Sequence, residues 1–449
     1  MGRLFGTDGI RGRANHPPVD VHTAVDLGRA VVERCRRQRA PARVVLGRDT
    51  RLSGEMLESA VAAGAASMGG EVLRAGLVPT PGVAFLTKDL GAGAGIVISA
   101  SHNPYQDNGF KVFSAEGYKL SDEEEEDLER IMSNTDPPSA LPLNGEIGPL
   151  KKVEDAVARY STFVSKGFDS GFFAEGMRIV LDTANGATFR AAPEAFAYTG
   201  ARVEVLHDRP DGRNINLGCG SEDTSRLQER VRETGAQVGL AFDGDGDRLI
   251  AVDERGVRLT GDQILMIIAS DMKERGELAK DILVTTVMSN LGLREACSGL
   301  GITHYAAGVG DRQVLREMQR LGAVLGGEES GHIILLDRHT TGDGILSGLR
   351  LISCMLRQGR PLSELACAMT VFPQELVNVE VRRKPPLEGI PEVQEVISEV
   401  ESELGPRGRV LVRYSGTQSL CRIMVEGPSE EQSRKACGRI AAVLMETLR

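Results

Sequence analysis

The chain contains no tryptophan, and aromatic residues make up only 4% of its 449 residues. With so few aromatic side chains, a surface that stacks nucleic-acid bases is not expected. The formal net charge is -10 at pH 7, so the basic face that a phosphate backbone requires is missing too. We therefore expect no nucleic-acid partner.

Cysteine pairs and long apolar runs are also absent. The seven cysteines are scattered, and none forms a Cys-x-x-Cys motif. Their odd number and spread predict reduced thiols in the cytoplasm, not a disulfide framework or a zinc site. No apolar run reaches the roughly 18 residues of a membrane span, and the first residues lack a signal-peptide core. We expect a cytoplasmic protein with no membrane partner.

Several common catalytic motifs are missing. The sequence has no Walker phosphate loop, no G-x-G-x-x-G dinucleotide fingerprint and no G-x-S-x-G hydrolase elbow. A nucleotide-dependent kinase and a lipase-like hydrolase are therefore disfavoured.

Short apolar strands alternate with amphipathic helical stretches through most of the chain. Residues 44–46 and 96–98 are typical strands, and residues 19–38 and 311–321 are typical helices. This alternation predicts α/β layers with mixed, mostly parallel sheets, whose functional loops follow the carboxyl ends of strands. The last segment instead alternates strands and helices in an order that suits a smaller α+β domain with an antiparallel sheet.

The length predicts two to four domains, and three breaks along the chain divide it into four. The expected boundaries give three α/β domains over residues 1–150, 151–256 and 257–370, and a C-terminal α+β domain over residues 371–449. The first boundary follows a stretch rich in Pro, Asn, Gly and Ser.

A serine loop follows one of the predicted strands. Residues 99–104 read Ser-Ala-Ser-His-Asn-Pro directly after the apolar run 95–98. Small and turn-forming residues end the strand in a tight loop, which holds Ser101 on a rigid scaffold. A nucleophile or a phosphate carrier is expected at such a position.

An acidic loop follows another strand. Residues 243–248 read Asp-Gly-Asp-Gly-Asp-Arg. Glycines let carboxylates two residues apart converge, and oxygen ligands favour Mg²⁺ or Ca²⁺. A calcium EF-hand is excluded because Arg248 occupies the position that needs glycine, and residues 249–252 form a strand pattern. A plain Asp-Gly turn is the alternative.

A polar loop near the C-terminus carries several hydrogen-bond donors. Residues 413–418 read Arg-Tyr-Ser-Gly-Thr-Gln after the strand-like run 410–412. A guanidinium, hydroxyls and exposed backbone N–H groups are the donors that a phosphate dianion binds. The pattern indicates a phosphate-binding loop, although a turn between two strands has a similar composition.

A further polar loop, residues 327–332, reads Gly-Glu-Glu-Ser-Gly-His. Its carboxylates and hydroxyl suit the hydroxyl groups of a sugar, and His332 can move a proton near neutral pH. A structural histidine is an equally good interpretation of His332.

Two basic residues lie in or beside these loops. Arg11 is embedded in the glycine-rich turn 6–12, and Lys111 closely follows the serine loop. Either can stabilise transferring negative charge, and Lys111 can also act as an acid. A solvated surface role is the alternative for both. The acidic run 121–126 is predicted to be a helix start with a capping box, not a metal site.

In order and spacing, these loops resemble those of the α-D-phosphohexomutase superfamily across essentially the whole chain. The resemblance is carried by residues 7–12, 99–104, 243–248, 327–332 and 413–417. It implies four domains around a central active-site cleft. Residues 4–12 and 309–312 are most similar to bacterial members that act on glucosamine phosphate. This similarity implies an isomerase that interconverts glucosamine 6-phosphate and glucosamine 1-phosphate on the route to UDP-N-acetylglucosamine.

The resemblance also implies residue roles. Ser101 would be a phosphoserine, and its phosphate would join the three aspartates of the acidic loop around Mg²⁺. The implied metal ligands are Ser101, Asp243, Asp245 and Asp247. The implied catalytic residues are Ser101, Lys111, His332 and Arg11. The implied substrate-binding residues are Glu328, Ser330, Arg248, Arg413, Ser415, Gly416 and Thr417. A sugar 1,6-bisphosphate would be both intermediate and activator.

Two alternative functions stay open at this point. A phosphomannomutase or phosphoglucomutase would use the same machinery on another sugar, and Glu329 occupies a position that is commonly Gln in members acting on glucosamine phosphate. A non-catalytic sugar-phosphate sensor is the other alternative, although binding alone needs neither a nucleophile nor a metal triad. We expect a small-molecule sugar phosphate as the partner, and a monomer or a homodimer.

Overall fold

A computed structural model describes residues 4–6, 8–133, 146–169, 171–414 and 419–448. The chain divides into two compact units. The first unit comprises Met1–Val287 and Ile302–Cys367, and the second comprises Met288–Gly301 and Ala368–Arg449.

The first sheet of the first unit has six strands in the order β1-β5-β4-β2-β3-β6. Its strands are β1 (Ile10–Arg13), β2 (Arg43–Arg48), β3 (Glu71–Leu77), β4 (Ala94–Ile98), β5 (Asp107–Ser114) and β6 (Leu150–Lys152). The pairs β2–β3, β2–β4 and β3–β6 are parallel, whereas β5 is antiparallel to both β4 and β1. The helices of this part are α1 (Val21–Arg37), α2 (Gly54–Ser67), α3 (Thr80–Asp89), α4 (Asp122–Met132) and α5 (Ala156–Ser165).

The second sheet has the order β10-β9-β7-β8, and the third has the order β12-β11-β13-β14. Each is parallel except for one antiparallel edge strand, β10 or β14. The second sheet contains β7 (Arg178–Asp182), β8 (Arg202–Leu206), β9 (Val238–Phe242) and β10 (Leu249–Asp253), with helices α6 (Thr188–Ala197) and α7 (Ser225–Thr234). The third contains β11 (Ile282–Thr286), β12 (Thr303–Ala307), β13 (Leu325–Gly327) and β14 (Ile333–Leu335), with helices α8 (Gly261–Glu274), α10 (Asp311–Leu321), α11 (Gly344–Gln358) and α12 (Leu362–Leu365).

The second unit contains an antiparallel three-stranded sheet of order β15-β17-β16. Its elements are α9 (Leu291–Gly299), β15 (Gln374–Glu380), α13 (Pro391–Leu404), β16 (Arg409–Tyr414), β17 (Leu420–Glu426) and α14 (Glu430–Leu448). The predicted fold class of three mixed α/β sheets and a smaller antiparallel α+β part is therefore confirmed.

The core of the first sheet depends on close packing between α1 and α2. A Cβ atom on Gly28 would lie 2.2 Å from the carbonyl oxygen of Val61, and one on Gly64 would lie 2.1 Å from that of Val25. Larger side chains would push the helices apart, since real Cβ atoms do not approach so closely. The completely buried strand β4 packs beneath these helices and ends at the serine loop.

The structure differs from the sequence expectations at some borders. Residues 150–152 form strand β6 on the first sheet, whereas the sequence indicated a linker there. Helix α1 begins at Val21 and ends at Arg37, within the predicted stretch 19–38. Ser121 and Glu124 form the predicted capping box of α4. Within the described residues, no helix is both long and apolar enough to cross a membrane.

Candidate functional site

The backbone of the serine loop is held by a buried polar network. Ser101 has a positive φ of 52°, which is uncommon for a residue other than glycine. Its N–H donates to Ser99 Oγ (2.9 Å), and that hydroxyl in turn donates to Asp49 Oδ2 (2.5 Å). Arg51 Nη2 donates to the Ser101 carbonyl across 2.8 Å. The surroundings thus fix an unfavourable conformation, as is common at functional sites.

The acidic loop lies directly against this serine. The Ser101 hydroxyl donates to Asp243 Oδ2 across 2.6 Å. Asn216 Nδ2 donates to the Ser101 carbonyl across 2.9 Å, and a Cβ atom on Gly244 would lie 2.6 Å from that same oxygen. Glycine at position 244 therefore allows the two loops to touch.

The three aspartates of the acidic loop converge as predicted. Their ligand oxygens lie within 4.8 Å of one another, and all three residues are buried. Asp243 Oδ1 accepts the N–H groups of Gly246 (3.0 Å) and Arg248 (3.2 Å). Burial and the neighbouring carboxylates raise the pKa of Asp243 well above its ordinary value. Oδ1 of Asp245 and of Asp247 lacks a hydrogen-bond partner within the described part of the chain. Buried, unpaired carboxylate oxygens fit a divalent cation.

Lys111 on β5 occupies the space between these carboxylates. Its Nζ lies 2.9 Å from Asp245 Oδ2, 3.2 Å from Asp247 Oδ2 and 3.2 Å from Asp8 Oδ2. Burial opposes the charged form, but the aspartates prevail and raise the pKa of Lys111 well above its ordinary value. The charged ammonium of Lys111 therefore balances the negative charge of the surrounding aspartates.

The polar loop between β13 and β14 is attached to the strand that follows the acidic loop. Within the loop, Glu328 N–H donates to the His332 carbonyl and Gly331 N–H donates to the Glu328 carbonyl, each across 2.9 Å. Leu249 N–H donates to the Gly331 carbonyl across 2.9 Å. These bonds bring residues 328–332 to the same site as the aspartates.

His332 lies between two carboxylates. Its Nδ1 is 3.7 Å from Asp247 Oδ1, and its Nε2 is 3.8 Å from Asp311 Oδ2. Burial alone would lower the pKa of His332, but Asp247 and Asp311 raise it above the ordinary value. A protonated imidazole here can donate a proton at either ring nitrogen.

Glu328 and Ser330, the predicted sugar ligands, lie on this same loop. Glu328 Oε1 accepts the N–H of Gly310 across 3.1 Å, and burial raises the pKa of Glu328. Ser330 Oγ is buried without a hydrogen-bond partner among the residues that the structure describes. An unpaired buried hydroxyl is available to a ligand.

Sequence reasoning missed a charged chain beside Lys111. Lys119 Nζ lies 2.8 Å from Asp8 Oδ1 and also contacts Asp311 Oδ2, and Arg11 pairs with Asp8. Burial would raise the pKa of Asp8, but Lys111 and Lys119 lower it well below its usual range. Asp8 lies in the glycine-rich turn 6–12 and Asp311 lies in the segment 309–312, but the sequence of neither segment indicates which lysine it contacts.

A cavity of about 420 Å³ adjoins His332, between the segment before α4 and helix α10. Lys119 and Asp311 line one side of it. Arg312, the last residue of the segment 309–312, pairs with Glu125 and with Asp122.

The predicted phosphate loop belongs to the second unit. Arg413 on β16 stands opposite Arg422 on β17. Burial and the nearby Arg422 lower the pKa of Arg413. Two neighbouring guanidinium groups favour an anion. Ser415, Gly416 and Thr417 lie outside the described residues.

Three α/β sheets, a buried serine and a carboxylate triad that could hold a cation are the features of a phosphoryl-transfer enzyme. The chain matches four phosphoglucomutase/phosphomannomutase domain families: domain I over residues 2–139, domain II over 158–256, domain III over 260–372 and the C-terminal domain over 376–443. It belongs to the phosphoglucomutase/phosphomannomutase family within the α-D-phosphohexomutase superfamily, and it is an isomerase that moves a phosphoryl group.

Similar proteins cover the whole chain. The phosphoglucosamine mutase of Syntrophobacter fumaroxidans is 55% identical over 444 residues, 99% of both chains. That of Syntrophus aciditrophicus is 51% identical over 448 residues, 100% of both. Among solved structures, a family protein from Burkholderia thailandensis aligns with a TM-score of 0.82 at 23% identity, covering 99% and 98% of the two chains. N-acetylphosphoglucosamine mutase of Aspergillus fumigatus, in complex with GlcNAc-6P and magnesium, aligns with a TM-score of 0.69 at 18% identity, covering 99% and 96%.

Proposed function

We propose that this chain is a phosphoglucosamine mutase, which interconverts glucosamine 6-phosphate and glucosamine 1-phosphate through a phosphoserine enzyme. The observation that carries the mechanism is the hydrogen bond from the Ser101 hydroxyl to the buried Asp243. The choice of sugar is supported by full-length relatives at about half identity that bear this name.

The residues of the acidic loop fit Mg²⁺. Asp243, Asp245 and Asp247 would hold the ion together with a phosphate oxygen on Ser101, because oxygen-only ligands with unpaired lone pairs suit this cation. When bound, Mg²⁺ supplies a positive charge that neutralises phosphoryl oxygens during transfer.

The reaction has two phosphoryl transfers. In the first, the free sugar hydroxyl attacks the phosphorus on Ser101. The new sugar oxygen–phosphorus bond forms while the Ser101 Oγ–phosphorus bond breaks, and the hydroxyl proton passes to the serine oxygen through the site. This yields glucosamine 1,6-bisphosphate, which then reorients so that its other phosphate faces Ser101. In the second, Ser101 Oγ attacks the other phosphate, and the sugar oxygen leaves with the serine proton.

The surrounding side chains divide the work. Lys111 and Arg11 stabilise negative charge on the transferring group, because both are held cationic by buried aspartates. His332 is the proton carrier, since Asp247 and Asp311 keep its pKa above the ordinary value. Exclusion of water by this buried setting limits hydrolysis of the phosphoserine.

Substrate binding is assigned to three groups of residues. Glu328 and Ser330 bind sugar hydroxyls, and Arg248, whose pKa is raised by Asp243 against the effect of burial, binds phosphate oxygens. Arg413 and the segment that follows it bind the phosphate that is not reacting. The residues assigned to this second phosphate are Arg413, Ser415, Gly416 and Thr417.

The cellular setting follows from composition. None of the seven cysteines, all of which lie in the described part of the chain, forms a disulfide, which supports the cytoplasm. We infer a small-molecule sugar phosphate as partner, no nucleic-acid or membrane partner, a monomer or homodimer, and a sugar 1,6-bisphosphate as activator.

The deciding experiment compares kcat/KM for the 1-phosphates of glucosamine, glucose and mannose. We expect the highest kcat/KM for the glucosamine phosphate. After incubation with the sugar bisphosphate, peptide mass spectrometry should find phosphate on Ser101. Ser101→Ala should abolish turnover, whereas Ser114→Ala, at the far end of β5, should not. A faster glucose or mannose phosphate would favour a phosphoglucomutase or phosphomannomutase. Unchanged turnover in Ser101→Ala would exclude the phosphoserine mechanism.

A further inference from the structure

A second cluster of metal-ligating side chains lies in the second sheet, apart from the aspartate triad. It consists of Asp182 at the end of β7, His207 just after β8 and Cys219 in the loop before α7. One ligand atom from each lies within 4.8 Å of the other two. Strands β7 and β8 are parallel neighbours, so their carboxyl ends bring Asp182 and His207 to one edge of the sheet.

The donor set of this cluster differs from that of the acidic loop. A carboxylate, an imidazole and a thiol are the ligands of Zn²⁺, whereas Mg²⁺ takes oxygen ligands almost exclusively. We propose that Asp182, His207 and Cys219 form a second cation site that binds Zn²⁺, with its fourth position open to water.

The carboxylate is already oriented for this task. Asp182 Oδ1 accepts the N–H of Ala184 across 2.9 Å, and its Oδ2 accepts the N–H of Gly220 across 3.0 Å. Oδ2 keeps one lone pair for a cation, because a carboxylate oxygen can accept two bonds. His207 Nδ1 lies 3.0 Å from Asp182 Oδ1. The two backbone N–H groups thus fix the orientation of the Asp182 carboxylate, as hydrogen-bond partners in the outer shell of a metal site orient its ligands.

The distances allow a tetrahedral ion after a small contraction. Bonds of roughly 2.0–2.3 Å to Zn²⁺ place neighbouring donor atoms about 3.3–3.6 Å apart. Because the ligand atoms all lie within 4.8 Å of one another, the loops need to close by at most about 1 Å. Asp182 and Cys219 are completely buried, and the side chain of His207 is 26% exposed, so the ion has an entry path.

The alternative is an Asp–His pair that only holds the loops together. That pair would not require a buried thiol beside it. Away from a cation, a buried thiol such as Cys219 is a neutral S–H group that behaves as a small apolar side chain. A bound cation replaces that proton, since a coordinating thiol is deprotonated outright. One proton leaves the thiol for each ion bound.

The consequence of occupancy is local rigidity near the serine loop. Cys219 stands between Asn216, which donates to the Ser101 carbonyl, and Ser221, whose N–H donates to the Phe242 carbonyl across 2.9 Å. Zn²⁺ would therefore secure the loop that braces the backbone of Ser101. Its role is structural, because its ligands lie at the end of β7, after β8 and before α7, and not in the serine loop or the acidic loop.

The test uses the full chain with Mg²⁺ in excess. Co²⁺ replaces Zn²⁺ as a spectroscopic probe, and a thiolate-to-cobalt charge-transfer band is the readout, which the aspartate triad cannot produce. We expect the band in the unmodified chain and in Cys35→Ala, a control for another buried thiol. Cys219→Ala should lack it. Zn²⁺ added in competition should abolish it, with one Zn²⁺ retained per chain after desalting.

His207→Asn removes the imidazole while keeping a residue that tolerates the positive φ of 51° found there. Zn²⁺ should be lost from this variant too, while its circular dichroism stays unchanged. Absence of the cobalt band from the unmodified chain would overturn the proposal, whatever the variants do. If Cys219→Ala and His207→Asn retained as much Zn²⁺ as the unmodified chain, the proposal would be overturned as well, because this result would show an adventitious ion only.

Discussion

The hydroxyl of Ser101 donates to Oδ2 of Asp243 across 2.6 Å, although the two residues are 142 positions apart in the chain. The contact joins the carboxyl ends of β4 and β9, which belong to different sheets. A structural turn does not explain why a serine is held against three buried carboxylates. Burial and the neighbouring carboxylates raise the pKa of Asp243, which means that keeping it ionised there costs stability. The arrangement is suited to exchanging a phosphoryl group beside a cation.

Asp243→Asn should retain the fold but lose the cation. The amide oxygen can still accept the N–H groups of Gly246 and Arg248, which Asp243 Oδ1 accepts now. Loss of one carboxylate should weaken Mg²⁺ binding and turnover at least about 100-fold. Removing a residue that only supports a metal ligand already costs up to about 100-fold, and Asp243 is itself a proposed ligand. Calorimetric Mg²⁺ titration and the mutase assay measure both.

The matched control for that variant is Asp253→Asn. Asp253 is also buried and also accepts two backbone N–H groups, from Arg255 and Val257. It should bind Mg²⁺ as the unmodified chain does. Equal Mg²⁺ affinity in Asp243→Asn and in the control would show that the acidic loop is not the metal site.

Lys111→Met should destabilise the metal-free protein. The substitution leaves the carboxylates of Asp245 and Asp247 buried without their counter-charge, which typically costs about 3–5 kcal/mol. Mg²⁺ should restore more stability to this variant than to the unmodified chain, because the ion replaces the lost charge. Thermal unfolding with and without Mg²⁺ measures the difference.

Lys151→Met serves as the control for Lys111→Met. Lys151 pairs with Glu71 but is 60% exposed, so its loss should cost under about 1 kcal/mol and show no added response to Mg²⁺. Should Mg²⁺ stabilise both lysine variants equally, the proposed balance between Lys111 and the cation would be wrong.

Much of the architecture could be predicted because local patterns agree with the fold. The amphipathic period of residues 311–321 matches α10, and the acidic run at Ser121 is the capping box it indicated. The three aspartates could be identified from the sequence, because the glycines between them allow their carboxylates to converge on one point. Each of these signals is contained within a dozen residues.

The partners of these residues could not be predicted, because they depend on how separate sheets meet. Nothing in the sequence near Lys119 indicates that its Nζ bridges Asp8 and Asp311. Cysteine spacing likewise does not indicate that Cys219 lies near Asp182 and His207, because the order of the strands alone brings these three residues together. Strand β6 was missed because its residues are exposed and lack an apolar pattern.

Gly342→Ala should displace His332 and lower turnover. A Cβ atom at this position would lie 2.4 Å from His332 Nε2, and the ring cannot yield easily because it is buried between Asp247 and Asp311. We expect at least about a tenfold loss in kcat and about 1–3 kcal/mol of destabilisation from overpacking. Gly438→Ala, on the exposed face of α14 with nothing near its Cβ, should instead stabilise by about 0.5–1 kcal/mol. Full kcat in Gly342→Ala would show that the position of His332 is not important for turnover.

His339 should make stability fall below neutral pH. Burial lowers its pKa to about 4 from an ordinary value of 6.5, and its Nε2 lies 2.9 Å from the Pro81 carbonyl. Between these two values the unfolded chain binds a proton that the folded chain does not, so stability decreases as pH falls through that window. The loss reaches about 3 kcal/mol, at about 1.4 kcal/mol per pH unit. His339→Gln keeps an N–H donor but cannot titrate, so its stability relative to the unmodified chain should rise as pH falls from 7 to 4.5. Denaturant unfolding at several pH values measures this difference, and a constant difference would contradict the assignment.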